Sequence, residues 1–329
     1  MRRVAIIATL FMLLAWTGIA SALPYTQGNV FVSLRDGTVQ EYTPTGTLVQ
    51  TLSTPSSGEL TGSAFDSSGN FYVTAGFSLQ PAGGIYKFDS SGNLVSPSPF
   101  FTNPSVNGST NESILFNIAG MALSGTADGD RTVNLFDPST GGNPVTQYSV
   151  ATQDRGSDWI DLAADQTTLY YTSEGSRILR YDLDTSTQLT DFTNEGFNLF
   201  ALRLLSSGGI LAADTNKVLR FDSSGNVAQT YLPGSGLLFA LNLDPDGTSF
   251  WTAEYYTGDI YNIDIATGTI LNQFDIDQGI SGLSVYGEIT QGGGGGGGGG
   301  GEPIPEPSTL FLLGSGFLGL AAFRRRFRR

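Results

Sequence analysis

Between residues 41 and 264 the chain returns six times to one pattern: an aromatic or aliphatic residue at the end of a β-like run, usually followed by Asp and a glycine-containing turn. The anchors are Glu41-Tyr42, Lys87-Phe88-Asp89, Leu135-Phe136-Asp137, Arg180-Tyr181-Asp182, Arg220-Phe221-Asp222 and Asn262-Ile263-Asp264, spaced 46, 48, 45, 40 and 42 residues apart. A fixed period of this length marks stacked supersecondary units, and 40 to 50 residues is the length of one four-stranded propeller blade. Six anchors therefore predict an all-β fold, a six-bladed β-propeller with four-stranded blades. One unit shows the pattern in full. It runs Gly62 to Phe65, a turn, Phe71 to Thr74, a longer loop, Gly84 to Phe88, a turn, then Leu94-Val95.

Asp-Ser-Ser-Gly-Asn occurs three times, at 66–70, 89–93 and 222–226. Its Asp bonds nearby amides and its Gly accepts positive φ, so each string predicts a tight hairpin. Asp244-Pro245-Asp246-Gly247-Thr248 is a turn of the same kind, since it lacks the later ligands of a calcium loop. The third unit is the least regular, because residues 103–131 show no clear inner strand. The first unit also lacks an inner strand, while Gly279 to Thr290 supplies an unpaired one. Pairing the two ends of the chain closes the ring and removes exposed sheet edges.

Closure without covalent help is required, because Cys is 0. His is also 0, which excludes Ser/His/Asp and Cys/His nucleophiles, the usual zinc sites and histidine bases. The formal charge is −14, yet seven of the 16 basic residues are arginines at the two ends. Without those seven and Glu302 and Glu306, nine basic residues face 28 acidic ones, a net charge of −19. Such a body repels phosphate backbones, so no nucleic-acid partner is expected.

Both ends read as addresses. Arg2-Arg3, an apolar run from Val4 to Ala15, and Ala20-Ser21-Ala22 form a secretory signal over residues 1–22, with signal peptidase cutting after Ala22 and Ala20 completing its site. The propeller then occupies residues 23–290. Residues 291–302 form a linker around the unbroken run Gly292 to Gly301, a tether about 18 Å end to end. Residues 303–329 contain Pro305-Glu306-Pro307, an apolar stretch from Ser308 to Phe323, and five arginines in the last six positions. As a helix the stretch spans about 24 Å, usable as a transmembrane segment with snorkelling arginines. The basic cluster places the C-terminus in the cytoplasm and the body outside.

These last residues resemble the PEP-CTERM sorting signal of Gram-negative exported proteins, in which Pro-Glu-Pro, Ser-Thr-Leu, a Gly-rich Leu/Phe span and terminal arginines follow in that order. The resemblance implies that Pro305, Glu306 and Pro307 are recognised by an exosortase, a membrane-embedded transpeptidase-like protease. It also implies display at the cell surface or in the extracellular matrix, with exopolysaccharide, biofilm or a matrix protein as the partner. The body is similar to NHL-type repeat propellers, on strings such as Leu211 to Asp222 and Phe71 to Phe88. More loosely it resembles the gluconolactonase-like and streptogramin-lyase-like six-bladed proteins.

No catalytic constellation and no cofactor are expected. Glu174, Asp214 and Glu254 recur 40 residues apart at the end of each unit's second strand. They read either as loop caps or as a ring of carboxylates for a hard cation such as Ca²⁺. Asp158 and Asp161 flank Trp159 as a second acidic cluster. By resemblance to the gluconolactonase-like group, which uses a Glu, Asn and Asp metal set, Asp158, Asn198 and Asn242 become metal-ligand candidates, and a metal-dependent lactonase is the alternative function. Trp251, Tyr255 and Tyr256 cluster in sequence as core residues or as a surface for stacking sugars.

The sorting reading has a direct consequence. Replacing Pro305-Glu306-Pro307 by three alanines is expected to leave export intact and to block removal of the arginine tail; intact-mass measurement of the mature protein distinguishes the two forms.

Overall fold

A carboxylate that accepts the amides two and four residues ahead bends the chain back on itself, and the three Asp-Ser-Ser-Gly-Asn strings do this in the same way. In the computed structural model, which describes residues 23–75, 84–102, 110–129 and 131–290, Asp66 accepts from the Ser68 and Asn70 amides at 2.9 Å each. Asp89 accepts from Ser91 and Asn93 at 2.9 Å, and Asp222 from Ser224 at 2.9 Å and Asn226 at 3.0 Å. The glycine of each string has φ of +78°, +79° and +84°, a region closed to most side chains. Donation from Asn226 and Ser224 holds the Asp222 carboxyl below the usual range. The signal peptide, the glycine linker and the sorting tail lie outside the described residues.

These turns join strands into sheets. The first blade contains β1 (Val30–Leu34), β2 (Thr38–Tyr42) and β3 (Leu48–Ser53). The second has β4 (Ser63–Phe65), β5 (Phe71–Thr74) and β6 (Ile85–Phe88), and the third β7 (Thr110–Phe116), β8 (Ala122–Ala127), β9 (Thr132–Phe136) and β10 (Thr146–Ser149). The fourth has β11 (Ile160–Leu162), β12 (Thr168–Tyr171), β13 (Leu179–Asp182) and β14 (Thr187–Gln188). The fifth has β15 (Leu199–Leu204), β16 (Ile210–Asp214), β17 (Lys217–Phe221) and β18 (Val227–Tyr231). The sixth has β19 (Leu238–Leu243), β20 (Ser249–Glu254), β21 (Asp259–Asp264) and β22 (Ile270–Asp275), and β23 (Ile280–Val285) returns to the first.

Every sheet is an antiparallel meander, and the inner strands β23, β4, β7, β11, β15 and β19 pack in a closed ring. The second sheet has three regular strands, with its outer edge covered by residues 94–101: Leu94 bridges Phe88 and Phe101 bridges Ile85. Pro97 and Pro99 lie in that segment and have no amide hydrogen for a ladder.

The ring shuts as the sequence predicts. β23 pairs with β1 in the register Val30↔Val285, Phe31↔Ser284, Val32↔Leu283 and Ser33↔Gly282. Residues 23–290 thus hold all six blades and both closing strands. Apolar side chains fill the seams between neighbouring blades in six clusters, one per seam. Between the first two blades, Phe31, Phe65 and Phe71 meet with ring centroids 5.0 to 5.2 Å apart.

The irregular third unit differs from its reading, since β7 is an inner strand buried along all seven residues. Its sequence, Thr-Asn-Glu-Ser-Ile-Leu-Phe, hides no apolar alternation, because its first half buries polar groups. Asn111, for example, accepts from Ser124 at 3.1 Å and Asn134 at 3.0 Å.

Closure is tight at Gly282, where an added Cβ falls 1.8 Å from the Thr61 carbonyl oxygen. Gly282→Ala is expected to destabilise the domain by about 3 kcal/mol through overpacking. In the same urea titration, Ile118→Ala, 73% exposed, is expected to change stability by less than about 0.5 kcal/mol.

Candidate functional site at the channel mouth

Because each meander starts at the channel, the first residues of the inner strands gather on one face, here the entry face, and their last residues on the exit face. The loops joining second to third strands share the entry face. Glu174, Asp214 and Glu254 are all found there, each at or just beyond the end of its blade's second strand.

Their oxygens are committed to local partners. Asp214 accepts from the Phe197 and Asn198 amides at 3.1 and 3.0 Å, with the Lys217 ammonium 3.7 Å away. Glu254 accepts from the Gly236 amide at 3.0 Å and from the Thr257 hydroxyl at 2.7 Å. The loop wraps it so closely that a Cβ at Gly234 or Gly236 lies 2.0 Å from its oxygens. Glu174 pairs with Arg155 at 3.3 Å, and Arg155 also holds Asp128 at 2.7 Å. Burial raises the Glu174 carboxyl while Arg155 opposes the rise; Arg155 donation lowers Asp128. Among the described residues no group of three or more Asp or Glu side chains is arranged to hold a metal.

Asp158, Asn198 and Asn242 are not brought together. Asp158 is buried at the entry end, before β11. Asn198 gives its amide to Asp214. Asn242, near the exit end of β19, donates to Glu288 at 2.7 Å. Asp244 through Thr248 form the expected turn, with Gly247 at φ +68° and the Asp244 carbonyl accepting its amide.

The aromatic grouping separates. Trp251 is wholly buried and donates from its indole nitrogen to Asp244 at 2.8 Å. Tyr255 and Tyr256 instead continue a ladder of rings from the channel outward. Phe239 touches Trp159 at 5.8 Å, Phe200 at 5.1 Å and Tyr255 at 5.2 Å, and Tyr255 meets Tyr256 edge-on at 4.7 Å. Tyr255 donates to Glu59 at 2.7 Å, and the Arg35 guanidinium lies 4.9 Å from its ring centroid. Tyr256 is 68% exposed and Phe197, in the loop before β15, is 77% exposed. Sequence reading missed Phe200 and Phe239, which sit at β-bulges in β15 and β19 and look like ordinary core residues.

On the exit face Glu288 bridges the fifth and sixth blades. It accepts from Arg203 at 2.8 Å, from the Leu243 amide at 2.7 Å and from Asn242. Asp161 lies beside this pair and accepts the Leu162 and Leu204 amides at 2.8 Å. Burial pushes its carboxyl up to about 6, against the pull of Arg203. The latch was not legible in sequence, since its members are 85 residues apart.

Beyond the latch, residues 303–326 match the family model of the PEP-CTERM protein-sorting motif. The chain carries a PEP-CTERM sorting tail. The motif marks it as an exported exosortase substrate, anchored transiently in the membrane and sorted to the cell surface. Among the described residues no helix is long and apolar enough to cross a membrane. No curated protein matches the sequence. A matching solved structure, that of the computationally designed Ika8 protein, is 18% identical with a TM-score of 0.47, and the match covers 83% of this chain and 81% of that one.

Removing Glu288 strands a buried guanidinium. Glu288→Ala is expected to cost about 3–5 kcal/mol in urea unfolding, and the double change Arg203→Met with Glu288→Leu to recover most of it.

Proposed function

We propose that this PEP-CTERM protein is a non-enzymatic binding module of the cell surface or extracellular matrix, and that its entry face binds exopolysaccharide. The observation that carries this reading is the ladder from Phe239 through Tyr255 to the exposed Tyr256. A sugar ring presents C–H groups to an aromatic face and hydroxyls to neighbouring polar groups. Around Tyr255 those polar groups are Glu59 and Arg35, 3.8 Å apart. The net charge of −19 on the body disfavours polyanionic chains, so a neutral or amino-sugar polymer suits it better. Support for a non-enzymatic role comes from the absence of His and Cys and from the binding of Asp214 and Glu254 oxygens to loop amides.

Affinity electrophoresis of residues 23–290 in gels containing the producing organism's purified exopolysaccharide tests the reading. Wild-type protein is expected to be retarded, and Tyr256→Ala to weaken retardation roughly three- to tenfold. Equal retardation of the two proteins, or lactone hydrolysis by the wild type, defeats the proposal.

A further inference from the structure

Two carboxylates in the channel wall differ from all the others described above. Glu112 lies on β7 where the register with β8 shifts between Asn111 and Ser113, so it is the bulge residue. Asp158 precedes β11 in the next blade, and the Ser113 hydroxyl donates to its carbonyl, which ties the two sites across one seam. Both side chains are buried, at 0% and 1% exposure. None of their four carboxylate oxygens has a hydrogen-bond partner among the described residues. Arg155 faces the pair but gives its guanidinium to Asp128 and Glu174, and Glu59 adds further negative charge nearby.

Adjacent carboxylates buried without donors are costly, because no hydrogen bond repays their desolvation and the charge of Arg155 offsets only part of it. Burial accordingly pushes Glu112 up to about 8 and raises Asp158 in the same direction. Protonation removes the charge but supplies at most one donor per carboxyl. A hard cation satisfies all four oxygens at once. We propose that Glu112 and Asp158 hold a divalent cation of the calcium class, sealed in the channel wall between the third and fourth blades.

The buried hydroxyls of Thr110 and Thr172, also unpartnered, are oxygens at the same end of these two blades. Calcium accepts irregular oxygen shells, whereas magnesium dehydrates reluctantly, and the carboxylates here are shut off from solvent. The same closure bars a substrate, so the ion joins two blades and does no chemistry. This site is independent of the glycan reading and uses none of Glu174, Asp214 and Glu254.

The test takes residues 23–290 through chelator treatment and then adds calcium, magnesium or sodium chloride at matched ionic strength. Calorimetry is expected to show one calcium bound per chain, with Tm raised by about 5 °C at a hundredfold excess over Kd. Magnesium is expected to give less than a third of that shift. Glu112→Gln with Asp158→Asn should abolish calcium binding and be at least as stable as the stripped wild type, since it removes the like-charge pair; Glu174→Gln should keep the calcium shift. The proposal is overturned if calcium neither binds nor moves Tm, if magnesium or sodium chloride matches it, or if the double variant still binds. A Tm that ignores calcium but rises on acidification assigns the pair to shared protons and overturns it as well. Should the double variant fail to fold, the wild-type stoichiometry alone decides.

Discussion

The pairing of β1 with β23 is the contact on which the rest of the molecule depends. Until it forms, Val30 and Val285 are the free ends of a strip of blades, and two sheet edges face solvent. Bringing together residues some 255 positions apart costs about 5 kcal/mol of chain entropy. Ile280, Leu283 and Val285 become wholly buried in return, and at about 1.5–3 kcal/mol each they offset that cost before any backbone hydrogen bond is added. The seam they fill also contains Trp251 and Ile260 of the sixth blade. Closing the ring therefore completes the core of two blades together.

How much of this could be read in the sequence follows from which side chains face which environment. The six anchors recur because each ends, or nearly ends, the third strand of its blade. There it packs into an inter-blade seam, and Phe88, Phe136 and Phe221 are almost fully buried. Apolar residues at a constant position in a repeat leave a period. β7 leaves none: it is buried along its whole length, and its first half is polar, with Asn111 bonded by Ser124 and Asn134 of its own blade and Ser113 bonded to Asp158 of the next. The ladder of rings was half legible. Tyr255 and Tyr256 stand together in the chain, whereas Phe200 and Phe239 belong to it only because bulges turn them there. Trp251, the neighbour that sequence proximity suggested, points into a different seam.

Acidic residues show why residue type alone could not assign the site. Asp66, Asp89 and Asp222 serve as turn carboxylates, none of them buried, that accept backbone amides. Asp214 and Glu254 make the same kind of bond from buried positions, where it holds the loop entering each inner strand. Glu112 and Asp158 have the same chemistry available and, among the described residues, no hydrogen-bond donor to their oxygens. The three groups differ in what the fold brings to their oxygens, which depends on strand register and bulge position. A pattern of acids 40 residues apart records only that the loops occupy equivalent places in successive blades.

The two faces carry different groups. Inner strands run from entry to exit, so the last described residues, from Glu288 to Thr290, lie on the exit face together with Arg203, Asp161 and the Asp-Ser-Ser-Gly-Asn turns. The chain leading to the sorting tail thus starts opposite the aromatic ladder. Glu288 accepts four hydrogen bonds from three groups on two other blades, the Arg203 guanidinium, the Asn242 amide and the Leu243 backbone, and it follows the closing strand directly. Through Arg203, Asn242 and Leu243 it ties the end of that strand to the fifth and sixth blades, so the ring is fastened at the exit face by an ion pair as well as by the β1–β23 ladder.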